Sequence, residues 1–102
     1  MTAPGKNLEF KASEAFKARA AKHPTLLVQI AELLANSPHA GQEICTGIRE
    51  IELVCSGEGF TVFFSRRANS FRLMYVFKAD EGALIGARRK ELVLFYGKGG
   101  RG

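Results

Sequence analysis

"GFTVFFSRRANSFRLMYVFKAD", residues 59–80, decides how this chain folds. Two apolar runs flank a short basic and polar link, "RRANS" at 66–70. In the first run Phe60, Val62 and Phe64 are opposed to Thr61 and Phe63. In the second, Phe71, Leu73, Tyr75 and Phe77 are opposed to Arg72, Met74, Val76 and Lys78. A period of two is the signature of a half-buried strand, and the brief link predicts an antiparallel hairpin. One face of it is heavily aromatic and has to be covered.

The same period continues upstream. "GIREIELVC", 47–55, places Arg49, Ile51 and Leu53 on one face and Ile48, Glu50, Glu52 and Val54 on the other, with "SGEG", 56–59, as the turn into the hairpin. Three strands with such short connections predict an antiparallel meander. "NLEFKA", 7–12, alternates Leu8 and Phe10 with polar residues and predicts a first strand. Ser13 is placed to cap a helix over "SEAFKARAAKH", which His23-Pro24 ends. Leu26, Leu27, Ile30, Leu33 and Leu34 form an apolar stripe on a second helix. "NSPHAGQE" reads as the loop that follows. "ALIGARRKELVLFYG" predicts a last helix with Ile85, Leu92 and Phe95 inward and Gly97 as its cap. The order is β-α-α-β-β-β-α, an α+β domain with a helical hairpin packed on an antiparallel sheet and the opposite face open. Residues 1–102 read as one domain, with 1–6 and 97–102 as flexible tails.

Composition agrees with this. The chain has 102 residues, of which 46% are hydrophobic and 25% charged, enough for one modest core and unlike a disordered segment. No apolar run approaches the roughly 20 residues that cross a bilayer, so no membrane partner is expected. The N-terminus has no apolar stretch of the signal-peptide kind, which points to the cytoplasm. A net charge of +5 and a pI near 9.6 favour an anionic partner. Cys45 and Cys55 read as free thiols. Neither they nor His23 and His39 have metal-ligand spacing, so no metal or cofactor is expected.

This order of elements resembles the RelE/ParE superfamily of small toxins, and within it the RelE/HigB-like branch. The resemblance covers residues 8–96. It rests on "GIREIEL" (47–53) as the glycine-led second strand, "SGEGFTVFF" (56–64) as the third, and "FRLMYVFKADEGAL" (71–84) as the fourth strand running through an aromatic-x-Lys turn into the last helix. The resemblance implies the toxin of a toxin–antitoxin pair. Such a toxin inhibits translation by cutting mRNA at the ribosome, without a metal. Its implied partners are the ribosome, mRNA and a cognate antitoxin protein, with a second copy of the chain as a further candidate. Its basic side chains would position phosphate, activate the 2′-hydroxyl and protonate the leaving oxygen.

On that reading Arg72 and Lys78 are the candidates for phosphate contact, and Tyr96 for orienting substrate or donating a proton. Arg66, Arg67, Arg88, Arg89 and Lys90 are candidates for RNA binding, and Glu50 for a general base. Each has a plainer reading. Arg66 and Arg67 suit a solvated hairpin tip, residues 88–90 a solvated helix face, and Tyr96 simple packing. The sequence also departs from the branch. Glu50, Glu52, Thr61 and Glu81 stand where basic residues are usual, and carboxylates beside a scissile phosphate repel it. A second expectation is therefore a non-catalytic protein on the same fold, phage-borne for example, that blocks a host or defence protein. A third is a gyrase inhibitor of the ParE type.

Overall fold

In the computed structural model, which describes residues 8–97, the elements in chain order are β1 (Glu9–Ala12), α1 (Glu14–Ala20), α2 (Leu26–Asn36), β2 (Gln42–Cys45), β3 (Ile48–Cys55), β4 (Glu58–Arg67), β5 (Ser70–Lys78) and α3 (Gly82–Leu92), closing in a π-helical turn at Val93–Gly97. The hairpin of β4 and β5 is the centre of a five-stranded sheet ordered β1-β5-β4-β3-β2. The fold is α+β, and no helix among the described residues is long and apolar enough to cross a membrane.

The sheet is mixed rather than antiparallel, because β1 pairs parallel with β5. It also holds one strand more than the sequence reading gives. Gln42 and Glu43, read as loop, belong to β2, which pairs with Glu50 and Arg49 of β3. The loop before β2 is fastened by Arg49, whose guanidinium donates to the carbonyls of His39, Ala40 and Gly41 at 2.9, 3.1 and 2.8 Å. Gly41 has a φ of +89°, and a Cβ there would lie 2.4 Å from Ile51 and 2.6 Å from the Glu50 carbonyl. Only glycine fits so close to β3.

Ser13 caps α1 as expected, its hydroxyl accepting from the Phe16 N–H at 3.0 Å. The same hydroxyl donates to the Met74 carbonyl at 2.6 Å, and the Ser13 N–H donates to the Leu73 carbonyl. These bonds sit on a β-bulge. Phe63 pairs with Tyr75 and Phe64 with Leu73, which leaves Met74 as the extra residue. A bulge resets the alternation of a strand. Phe71, Leu73 and Val76 therefore face α1 and α2, while Met74, Tyr75 and Phe77 face the other way. The strict alternation read from the sequence, with Tyr75 and Phe77 alongside Phe71, fails here for that reason.

Two cores result. Under α1 and α2, Phe16, Leu26, Ile30 and Leu34 bury against Ile51, Phe60, Val62, Phe64, Phe71 and Leu73. Leu33 is half-buried and Leu27 is exposed, so the α2 stripe is narrower than the sequence reading made it. The second core corrects the expectation of an open face. Ile85 and Leu92 of α3 cover Ile48, Phe63, Met74 and Phe77. Phe63 and Met74 are accordingly buried. Phe95, expected inward, is instead 74% exposed on the π-helical turn. The tail cations Lys98 and Arg101 lie outside the described residues.

Candidate nucleic-acid interface

α3 does not cover the whole of its face of the sheet. Past its C-terminal end, four strands meet in one row: the register pairs Lys11 of β1 with Arg72 of β5, Arg72 with Ser65 of β4, and Ser65 with Ile48 of β3. Neighbouring strands lie only about 4.8 Å apart, so this row sets Lys11 and Arg72 side by side. Above it is a cleft of about 440 Å³ with Lys11, Arg66, Arg67, Arg72 and Tyr96 on its rim, and Ile48, Ser65 and Met74 among its lining. No carboxylate lines it. Thr46 and Gly47 of the β2–β3 turn close one side.

The charges of this cleft are not spent elsewhere. Among the described residues the ion pairs are Lys17–Glu14, Arg19–Glu81, Lys78–Glu58, Arg88–Glu91 and Arg89–Glu50. Lys11, Arg66, Arg67 and Arg72 are in none of them. Arg66 lies over the Phe71 ring at 5.5 Å and donates its Nε–H to the Ala68 carbonyl at 3.2 Å, which fixes its stem at the hairpin tip. Tyr96 reaches the cleft because the helix continues past Leu92 as a π-helical turn, and its ring packs edge-on against Phe95 with centroids 5.2 Å apart.

The structure thus gathers Arg67, Arg72 and Tyr96, sets Arg66 beside them with its guanidinium turned over Phe71 on the α1 and α2 side of the sheet, and leaves the other candidates apart. Lys78 is on the same strand as Arg72, but six residues along an extended chain span roughly 20 Å. Its ammonium lies 3.2 Å from Glu58. Arg88 packs over the Tyr75 ring at 4.2 Å and pairs with Glu91. Arg89 holds Glu50 bidentately, at 2.8 and 2.7 Å, and that hydrogen-bonded partner raises the guanidinium's already high pKa. Glu50 is therefore engaged by Arg89 of the last turn of α3; it stands two positions along β3 from Ile48 but is not among the residues that line the cleft. Lys90 is on the exposed side of α3, clear of the cleft. Lys11 is the cation the sequence reading missed. Nothing local marks it, because only the parallel β1–β5 pairing brings it to Arg72.

A larger hollow of about 680 Å³ lies at the far end of β5, with Arg19, Lys22, His23, Lys78, Asp80 and Glu81 around it. Its charges are mixed and largely internal. Arg19 donates to both Glu81 oxygens and sits over the Phe77 ring at 5.0 Å. Glu81 also accepts from the Lys78 N–H at 2.8 Å, and this bond, with Arg19 beside it, holds its carboxyl below the usual range. Among the described residues no three His, Cys, Asp or Glu side chains gather as a metal site.

The chain matches no established family profile and no curated protein sequence.

Proposed function

We propose that the cleft binds the phosphates of single-stranded RNA, and that the chain is a metal-independent endoribonuclease of the RelE/HigB-like kind, cutting mRNA at the ribosome in the cytoplasm. The observation that carries this reading is that Lys11, Arg67 and Arg72, none of them in an ion pair among the described residues, line one cleft with Tyr96 and without a carboxylate. Cleavage of this type forms a bond between the 2′-oxygen and phosphorus and breaks the bond to the 5′-oxygen. Negative charge grows on the phosphoryl oxygens, and fixed guanidinium groups in a partly walled site stabilise it. Arg72 and Arg67 are placed for that role, with Lys11 as a further point charge. Tyr96 can donate its proton to the departing 5′-oxygen. The β-α-α order of the N-terminal half and the closing helix fit the resemblance, to which β2 is an addition.

One observation favours a second reading. The lining has neither a carboxylate nor a histidine to take the 2′-proton, which leaves Lys11, Tyr96 and the hydroxyls of Thr46, Ser65 and Ser70 as the side chains there that can handle one. A chain that binds RNA or an acidic protein surface without cutting would look the same. Expression in a bacterium separates the two. The nuclease arrests growth, depresses pulse labelling of nascent protein and leaves cut mRNA. The binder leaves mRNA intact.

A further inference from the structure

The edge of the sheet at β3 is only half closed. β2 pairs with β3 from Ile48 to Glu50 and no further, whereas β3 runs on to Cys55. The β3–β4 hairpin turns through Ser56 and Gly57, both with positive φ (53° and 78°), so Cys55 and Glu58 flank a two-residue turn. In an antiparallel ladder the flanking pair bonds inward and every second residue repeats it. Cys55, Leu53 and Ile51 thus direct their main-chain groups at β4, and Val54 and Glu52 direct theirs outward. Among the described residues no hydrogen bond from outside the sheet reaches the main chain of either. Val54 is 66% exposed, and Glu52 is exposed.

This edge is acidic on a chain that carries a net charge of +5. Glu43, Glu50 and Glu52 border it. Glu50 is neutralised by Arg89, and Glu52 is in no ion pair among the described residues. Glu52 and Val54 point to the same face of the sheet. On that face a hollow of about 530 Å³ adjoins them, lined in part by Thr61, Ala79, Gly82 and Ile85. On the other face a second hollow of about 400 Å³ lies beside Leu33, Gly41 and Ile51. An unpaired main-chain edge with hollows for alternate side chains is the geometry of strand addition.

We propose that Ile51–Cys55 accepts an extended segment of a partner protein as a sixth strand, one that carries a basic and an apolar residue two positions apart on the face toward α3. The apolar residue covers Val54 and enters the larger hollow, and the basic one pairs with Glu52. Four main-chain bonds, through the N–H and C=O of Glu52 and Val54, hold it. A second copy of this chain is the poorer occupant, because its own Glu43, Glu50 and Glu52 would meet ours. Nucleic acid is excluded by the same carboxylates. The edge lies at the other end of β3 from the cationic cleft and does not depend on what that cleft binds.

The test is fluorescence anisotropy with a labelled, end-blocked peptide VTKTVTK, which carries valine and lysine alternately on one face. Controls are VTETVTE and VTKTVTK methylated at the amides that face β3. Saturable binding is expected, with slowed amide exchange at Glu52 and Val54. It should weaken at least about tenfold on amide methylation, on exchange of lysine for glutamate in the peptide, and in Glu52→Lys. Val54→Pro removes an outward N–H and the exposed valine side chain while leaving the β3–β4 ladder bonds in place. It should fold with an unchanged melting temperature and lose the peptide. Equal binding of the methylated peptide, or none of VTKTVTK at all, overturns the proposal. So does concentration-dependent dimerisation of the free chain that Val54→Pro abolishes, which would give the edge to a second copy.

Discussion

If the cleft holds RNA by its phosphates, the affinity must carry the electrostatic signature of the cations counted there. Each phosphate neutralised on a single strand contributes about −0.7 to the slope of log affinity against log salt. Lys11, Arg67 and Arg72 are three such cations, so the expected slope is about −2.1. Between about 50 and 200 mM salt the affinity for a short labelled RNA should then fall about 20-fold. Arg72→Ala, at the centre of the row, should make the slope shallower by about 0.7 and weaken binding at every salt concentration. Lys78→Ala should leave the slope as it is, since Lys78 is held by Glu58 at the far end of β5. Fluorescence anisotropy across a salt series measures all three proteins. A wild-type slope shallower than about −1.5, or equal effects of the two substitutions, would refute the placement of the site.

Three further outcomes test the architecture that builds the cleft. Ser13→Ala removes both the cap of α1 and the bond to the Met74 carbonyl; it should cost about 1.5–2.5 kcal/mol, and Ser13→Thr should recover part of it in urea unfolding. Phe63→Ala empties the core beneath α3, where Phe63 is fully buried; it should cost about 3–5 kcal/mol, whereas a near-neutral effect would return that face to solvent. Glu81 has its folded-state pKa lowered, by the Lys78 N–H first and by Arg19. The stability this adds is complete above the ordinary glutamate value of about 4.3 and is lost as pH falls through the depressed one. Glu81→Gln should accordingly melt lower than wild type at neutral pH, and the difference should shrink as pH falls below the ordinary glutamate value of about 4.3.

Much of this was legible in the chain. The 59–80 hairpin, the two N-terminal helices, the Ser13 cap and the two faces of β3 follow from period and capping. Three features do not. β2 is a short edge strand whose Gln42 and Glu43 are exposed, so it shows no apolar alternation. The parallel β1–β5 pairing is set by where α1 and α2 return the chain and leaves no local mark. The bulge at Met74 is stabilised by Ser13, 61 residues away, and it alone decides which way Tyr75 and Phe77 face. α3 is legible only in part. Ile85 and Leu92 point inward, but Leu84, Leu94 and Phe95 remain exposed, so no single apolar stripe announces which surface it covers. The candidate site divides in the same way. Arg66, Arg67 and Arg72 were legible as basic groups of one hairpin, and Tyr96 only as a residue of the last helix. Lys11 needed the parallel register, and the engagement of Glu50 by Arg89 needed the position of α3.

A nuclease of the proposed kind cuts mRNA in this cleft. Primer extension on mRNA from cells expressing the chain tests it most directly, comparing wild type with Arg67→Ala/Arg72→Ala, which alters two exposed side chains and spares both cores. Cuts within translated frames are expected for the wild type and a loss of at least about tenfold in the double variant, the effect of removing roughly 1.4 kcal/mol of transition-state stabilisation. Undiminished cleavage by the folded double variant would move the site elsewhere, and intact mRNA in cells making the wild-type protein would contradict the nuclease reading itself.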